Sequence, residues 1–222
     1  MKIISSYPRS GQAKLRFLIA NILYPDIEHN FETIRLYTPS IDSEEQRTKA
    51  LDTRYVFTHS NINCDVYLYR HVGDVLISEF WYKKKYGFSD GDPLGFILSS
   101  KYGQDWRRSI EFGRSAPVRI SFEDLFQADI LAKKLGFTLT EVEEAMKRCS
   151  FNQMREAETK TDTVGGDKSI PYMREGTSGQ WQTLPPKVQY SLIQNNEGEL
   201  VYLSYWSMDA WSHFLQRHKD KL

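Results

Sequence analysis

The sequence predicts an α/β fold in which a parallel sheet carries helices on both faces. Short runs rich in β-branched and aromatic residues recur at 2–7, 55–58, 65–69 and 118–121. Between them lie segments whose apolar residues repeat at helical spacing, and strands that alternate with helices point to a parallel sheet. The chain has 222 residues, 40% of them hydrophobic and 14% aromatic, which suits one domain over 1–222 with a single sizeable core.

Residues 2–7 (KIISSY) read as a buried strand centred on Ile3 and Ile4, running into the loop signal Pro8-Arg9-Ser10-Gly11. Leu15, Leu18, Ile19, Ile22 and Leu23 then recur at helical spacing until Pro25 ends the helix. Residues 25–50 are polar and weakly patterned, a loop with a short helix. The strand at 55–58 ends at His59, and the strand at 65–69 ends at Arg70. Val75, Leu76, Phe80 and Tyr82 mark a helix over 72–86. Residues 87–92 form a loop, and 93–112 include a helix. After the strand at 118–121, residues 122–135 read as one helix closed by Gly136. Thr140 and Glu143 match a capping box opening the next helix, which runs to about Cys149. Residues 158–171 are polar and Gly-rich, a mobile loop, and a last helical region starts near 184–186.

Lys plus Arg and Asp plus Glu both number 29, a balance that argues against a dedicated nucleic-acid or anionic-membrane binder. No run of 18 apolar residues predicts a membrane span. The N-terminus meets Pro8 and Gly11 too early for a signal peptide, and the two cysteines, Cys64 and Cys149, lack metal or disulfide spacing. These features together predict a cytoplasmic protein.

Four constellations carry chemistry. The Tyr7–Ala13 junction of strand, loop and helix offers free backbone N–H groups and a positive helix end to a phosphate or sulfate, and Arg9 adds a planar cation. It is not a Walker A loop. His59 at a strand end can act as a general base. Arg70 and Ser78, eight residues apart across a strand-to-helix junction, can face one anion. Arg174 precedes Gly176, Gly179 and Trp181 in a loop able to close over a phosphate.

In order and spacing these motifs resemble the cytosolic and bacterial sulfotransferases, from Ile3 to Trp181. SYPRSG resembles the YPKSGTTW or PRSGNTWL loop around the 5′-phosphosulfate. TRYVFTHSN resembles the segment holding the catalytic histidine, and VYLYRHVGDVLISEFWYKKK resembles VRNPKDVAVSYYHF. ISFEDL resembles the YEDL segment, CSFNQMRE the TSFxxM segment, and MREGTSGQW the RKGxxGxW segment. The resemblance implies a three-layer sandwich like that of P-loop nucleotide hydrolases. It implies sulfuryl transfer from 3′-phosphoadenosine 5′-phosphosulfate to an acceptor hydroxyl, with no metal required. His59 takes the role of base, and Arg9 supports it at the leaving group. Ser10, Gly11, Gln12, Ala13 and Lys14 complete the 5′ loop with Arg9. Arg70, Ser78, Arg174 and Gly176 bind the 3′-phosphate, and Phe151 packs on adenine.

The chain departs from the family pattern at several of these places. Arg9 replaces a lysine, Gln12 and Ala13 replace hydroxyl residues, and Lys14 replaces the adenine-stacking tryptophan. Phe57 replaces the lysine before the catalytic histidine, Phe122 the YEDL tyrosine, and Glu175 the RKG lysine. Lys14 and Arg16 are candidates to restore the lost positive charge. A kinase-like phosphoryl transferase and an inactive nucleotide-binding homologue are the alternative readings. The acceptor pocket maps to 25–50, 87–115 and the loop near 160, whose polarity suits a small polar molecule or glycan.

Overall fold

The computed structural model describes residues 1–89, 91–161, 164–205 and 207–218. Four strands, β1 (Lys2–Ser6), β2 (Tyr55–Thr58), β3 (Val66–Tyr69) and β4 (Val118–Ser121), form one sheet in the order β2-β1-β3-β4. Every pairing is parallel, with Ile4 beside Phe57 and Val66, and Leu68 beside Ile120. The period of two along β3 divides the interior. Val66 and Leu68 enter one core while Tyr67 and Tyr69 enter the other.

The first core packs α1 (Gln12–Leu23), α2 (Thr33–Tyr37), α7 (Ala128–Leu135), α8 (Leu139–Arg148) and α9 (Phe151–Thr159) against Ile4, Phe57 and Ile120. The second packs α4 (Val72–Lys85), α5 (Pro93–Leu98), α6 (Ser100–Gly113), α10 (Pro186–Tyr202) and α11 (Met208–His218) around Trp106 and Tyr67. Helices therefore cover both faces of the sheet, which makes the three-layer sandwich. The short α3 (Glu44–Lys49) buries none of its residues. Among the described residues, no helix is long and apolar enough to cross a membrane.

Three local expectations change. Residues 122–135 are not one helix: Glu123–Phe126 form a 3-10 turn and Gln127 is extended before α7 begins. Asp124 causes the break, because its carboxylate accepts from Ser121 N at 2.7 Å and from Lys134 Nζ at 2.7 Å. The capping box of α8 is Thr138 with Glu141, not Thr140 with Glu143. Both pairs fit the spacing, but Gly136 ends α7 in the left-handed region and Thr138 is the residue left extended. Helix α9, capped by Ser150 and Gln153, follows Cys149 in a stretch to which the sequence pattern assigns no element. The predicted mobile loop is tied down on both sides. Lys85 Nζ donates to the carbonyls of Asp167 and Ile170, while Glu158 accepts from Tyr172 N and Met173 N. Residues 162 and 163 of that loop lie outside the described residues.

The corrected cap is testable. Thr138→Ala should lower stability by about 1 kcal/mol in urea unfolding, whereas Thr140→Ala should change it far less. Equal effects would return the box to Thr140.

Candidate functional site

Because the four strands are parallel, their carboxyl ends open on one edge of the sheet, where ligands bind in open α/β folds. Strand β1 delivers Tyr7–Gly11, β2 delivers His59, β3 delivers Arg70, and β4 delivers Phe122. These ends meet in one cavity of ≈ 490 Å³. Its wall includes Arg9, Gly11, Gln12, Ala13, Lys14, His59, Arg70, Ser78, Phe151, Arg174 and Gly176. Ser10 is the sequence-predicted residue absent from that wall, and its buried hydroxyl has no hydrogen-bond partner among the described residues.

The first loop turns sharply. Arg9 has φ 70° and Gly11 φ 105°, and a Cβ on Gly11 would come within 2.7 Å of the Phe122 ring. Only glycine fits this close approach to the turn after β4. The Arg9 guanidinium sits between Tyr82 and Tyr172, 4.8 and 4.6 Å from their centroids. Its Nε donates to Ser78 Oγ at 3.2 Å, and Nη2 donates to the Tyr172 carbonyl at 3.4 Å.

The next side chains along α1 turn inward. The Gln12 amide donates to Ser6 Oγ and to the Thr58 carbonyl, bracing the ends of β1 and β2 against each other. Lys14 is buried, and its ammonium donates to the Cys149 carbonyl at 3.4 Å. Burial lowers its pKa. Arg16 donates to Gln46 Oε1 at 2.9 Å, and desolvation pulls its pKa down to about 10. Both cations reach the cavity wall already engaged by protein groups.

Arg70 is buried over the face of Phe122, 4.0 Å from the ring centroid. Its Nη2 donates to the Thr177 carbonyl at 2.6 Å and Nη1 to the Arg9 carbonyl at 3.4 Å, while Nε is buried without a partner among the described residues. Burial lowers its pKa, against the pull of Asp74 and Glu123. Arg174 pairs with Glu175 and donates to Gln180 Oε1. Gly176 has φ 64°, and a Cβ there would lie 2.5 Å from the Phe151 ring.

The sequence reading missed the residue that holds this last loop in place. Asp74, in the first turn of α4, is almost fully buried. Its carboxylate accepts from Gly179 N at 2.7 Å, Trp181 N at 3.0 Å and Ser178 Oγ at 3.5 Å. Burial raises its pKa, opposed by Arg70 and the two amides. The apolar contact between Gly73 and Trp181 closes the same junction. An acidic residue in the first turn of a predicted helix was visible in the sequence, but its partners lie 104 to 107 residues away.

His59 opens to solvent at one edge. Its Nδ1 lies 2.9 Å from the Ser6 carbonyl, which can only accept, so Nδ1 carries the proton and Nε2 keeps its lone pair. Asp42 fixes the backbone by accepting from His59 N at 2.7 Å and from Thr58 Oγ1 at 2.7 Å. Desolvation by the surrounding wall lowers the His59 pKa. The Ser6 carbonyl and Asp42 oppose that shift, and Arg9 and Arg16 add to it.

No family sequence model matches the chain, and neither does any curated protein. Solved structures do. A crystal structure of retinol dehydratase with androsterone and the inactive cofactor PAP matches with a TM-score of 0.67 at 16% identity. A second, with retinol and PAP, gives 0.65 at 16% identity. Both alignments cover 89% of this chain and 80% of the other. A mouse sulfotransferase, SULT7A1, complexed with PAP gives 0.63 at 16% identity, over 99% of this chain and 88% of its own.

This is the sulfotransferase fold.

Within that fold, the Asp74 carboxylate ties the 177–181 loop to α4. Asp74→Ala should speed amide exchange at Gly179 and Trp181 by about tenfold or more, since hydrogen bonds to charged groups are worth roughly 1.5–3 kcal/mol. Amides in β1 should be unaffected. Unchanged protection at Gly179 and Trp181 would remove Asp74 from this role.

Proposed function

We propose that the chain is a sulfotransferase that moves the sulfuryl group of 3′-phosphoadenosine 5′-phosphosulfate to the hydroxyl of a small-molecule acceptor. The observation that carries this reading is the meeting of His59, Arg9, Arg70 and Arg174 in one cavity of a fold whose solved examples hold PAP. The residues fit an anionic donor. Among the described residues, Arg9 and Arg70 are held by carbonyls, a hydroxyl and aromatic faces rather than by a hydrogen-bonded carboxylate, and Arg70 Nε has no partner. Such a wall holds positive charge that a bound anion can neutralise.

When bound, the donor supplies an activated sulfuryl group and a nucleotide leaving group. His59 Nε2 takes the proton of the acceptor hydroxyl. Asp42, whose hydrogen bonds hold its own pKa down despite partial burial, favours the imidazolium that results. Arg9 stabilises the charge that develops on the leaving oxygen, and the two tyrosine rings keep its planar group in position. Arg70 and Arg174 hold the 3′-phosphate, for which Arg174 exchanges its pairing with Glu175.

The cavity wall also carries Phe31, Ile34, Tyr82, Tyr86, Tyr172 and Met173, of which Tyr82 and Tyr172 flank Arg9. This lining favours an acceptor with an apolar or ring-shaped body over the polar glycan suggested by the segment compositions. The retinol dehydratase structures hold androsterone and retinol, molecules of that kind. The two free cysteines are in keeping with a cytoplasmic enzyme.

Turnover with labelled donor tests the assignment of the base. His59→Ala should lose about 10²–10⁴-fold in kcat, the usual contribution of a general base, while nucleotide affinity stays within a few-fold. The base works as the neutral imidazole, and its pKa is lowered from 6.5. The acid limb of kcat/KM should therefore fall below that value, with no further rise from this group above it. Near-normal turnover in His59→Ala would overturn the assignment.

A further inference from the structure

The arginines account for the anionic parts of a nucleotide and leave its base without an assigned partner on this chain beyond Phe151. Position 14, on the first turn of α1, cannot provide a stacking face, because it is a lysine directed to the Cys149 carbonyl. The ring that lies over its ammonium is Phe126, 4.8 Å away. Phe126 belongs to the 3-10 turn after β4, forms part of the cavity wall and is 48% exposed.

Three contacts locate this ring relative to the rest of the site. It meets Phe122 edge-on at 5.4 Å, and Phe122 is the ring beneath Arg70. Lys14 bridges Phe126 to the carbonyl of Cys149, two residues before Phe151. Phe151 in turn packs on Gly176, next to Arg174 and Glu175. Phe126 and Phe151 thus stand on the same stretch of wall, around the Lys14 ammonium and one ring beyond Arg70. Arg70, Phe126 and Phe151 all line the same cavity.

We infer that Phe126 is a stacking face for the purine of the donor nucleotide, an inference that rests on the donor reading above. The Lys14 ammonium takes one face of the ring by a cation–π contact and so fixes its tilt. With 48% of Phe126 exposed, ring surface remains for the base. An aromatic group has in effect moved from α1 to the turn after β4, and the interruption of the predicted 122–135 helix at Gln127 is what lets the turn present it. Phe122, which lacks a hydroxyl, gives the purine no hydrogen bond from that position. Base recognition at this end of the cavity then depends on rings.

The test compares two ligands by calorimetry: adenosine 3′,5′-bisphosphate and 1-O-methylribose 3,5-bisphosphate, which lacks the base. Stacking on one aromatic side chain typically changes affinity by about five- to a hundredfold. Phe126→Ala should weaken the nucleotide by that factor and leave the baseless ligand unchanged. Phe126→Trp should keep the nucleotide affinity within a few-fold, and the introduced indole should be quenched by adenosine 3′,5′-bisphosphate but not by the baseless ligand. Equal nucleotide affinity in wild type and Phe126→Ala overturns the inference, as does equal weakening of both ligands, which marks a structural role. A wild type that binds neither ligand defeats the donor reading and this inference with it. A wild type that binds the nucleotide while Phe126→Ala is indifferent defeats this inference alone.

Discussion

Parallel pairing sends every strand's carboxyl end to the same edge of a sheet, and the whole site depends on that constraint. Gly11 and Phe122, more than 100 positions apart in the chain, become neighbours because the strands before them end at the same edge of the sheet. The positions immediately after those stops are Tyr7, His59, Arg70 and Phe122. The pairing of the ends is reinforced from below. The Gln12 amide spans Ser6 and the Thr58 carbonyl, and His59 Nδ1 donates to the Ser6 carbonyl. His59 and the 7–11 loop are therefore registered to each other through β1 and β2.

Electrostatics then decides what the edge can hold. The chain has no formal net charge, yet the cavity collects Arg9, Lys14, Arg16, Arg35, Arg70 and Arg174 against Glu79 and Glu175. Buried cations are costly unless paired. Arg9 and Arg70 are stabilised without full neutralisation, by carbonyl dipoles and the faces of Tyr82, Tyr172 and Phe122. Glu175 neutralises Arg174 in the structure as it stands. An anion entering here meets two charged groups ready to bind and a third that must first change partners.

The strands, the first loop and the positions of His59, Arg70 and Arg174 were legible in the sequence because each sits beside a sharp change of pattern, at a strand end or next to glycine. What was not legible required partners distant in the chain. Asp74 looks like an ordinary first-turn acid until Gly179 and Trp181 are brought to it. Lys14 and Arg16 look like free basic groups, but the Cys149 carbonyl and Gln46 engage them. Thr138 and Thr140 offer the same capping spacing, and only the end of α7 selects between them. Phe126 falls inside a run that reads as continuous helix until Asp124 binds back to Ser121 N and the helix is broken.

Calorimetry on the wild type with adenosine 3′,5′-bisphosphate and adenosine 5′-phosphate tests the central claim most directly, because the ligands differ only in the group assigned to Arg70 and Arg174. Charge-assisted hydrogen bonds are worth roughly 1.5–3 kcal/mol each, and every 1.4 kcal/mol is tenfold in affinity. The bisphosphate should bind about a hundredfold more tightly, or better, and Arg174→Ala should remove about tenfold or more of that preference. Equal affinities of the wild type for the two nucleotides would contradict the assignment of this cavity to a 3′-phosphorylated sulfuryl donor.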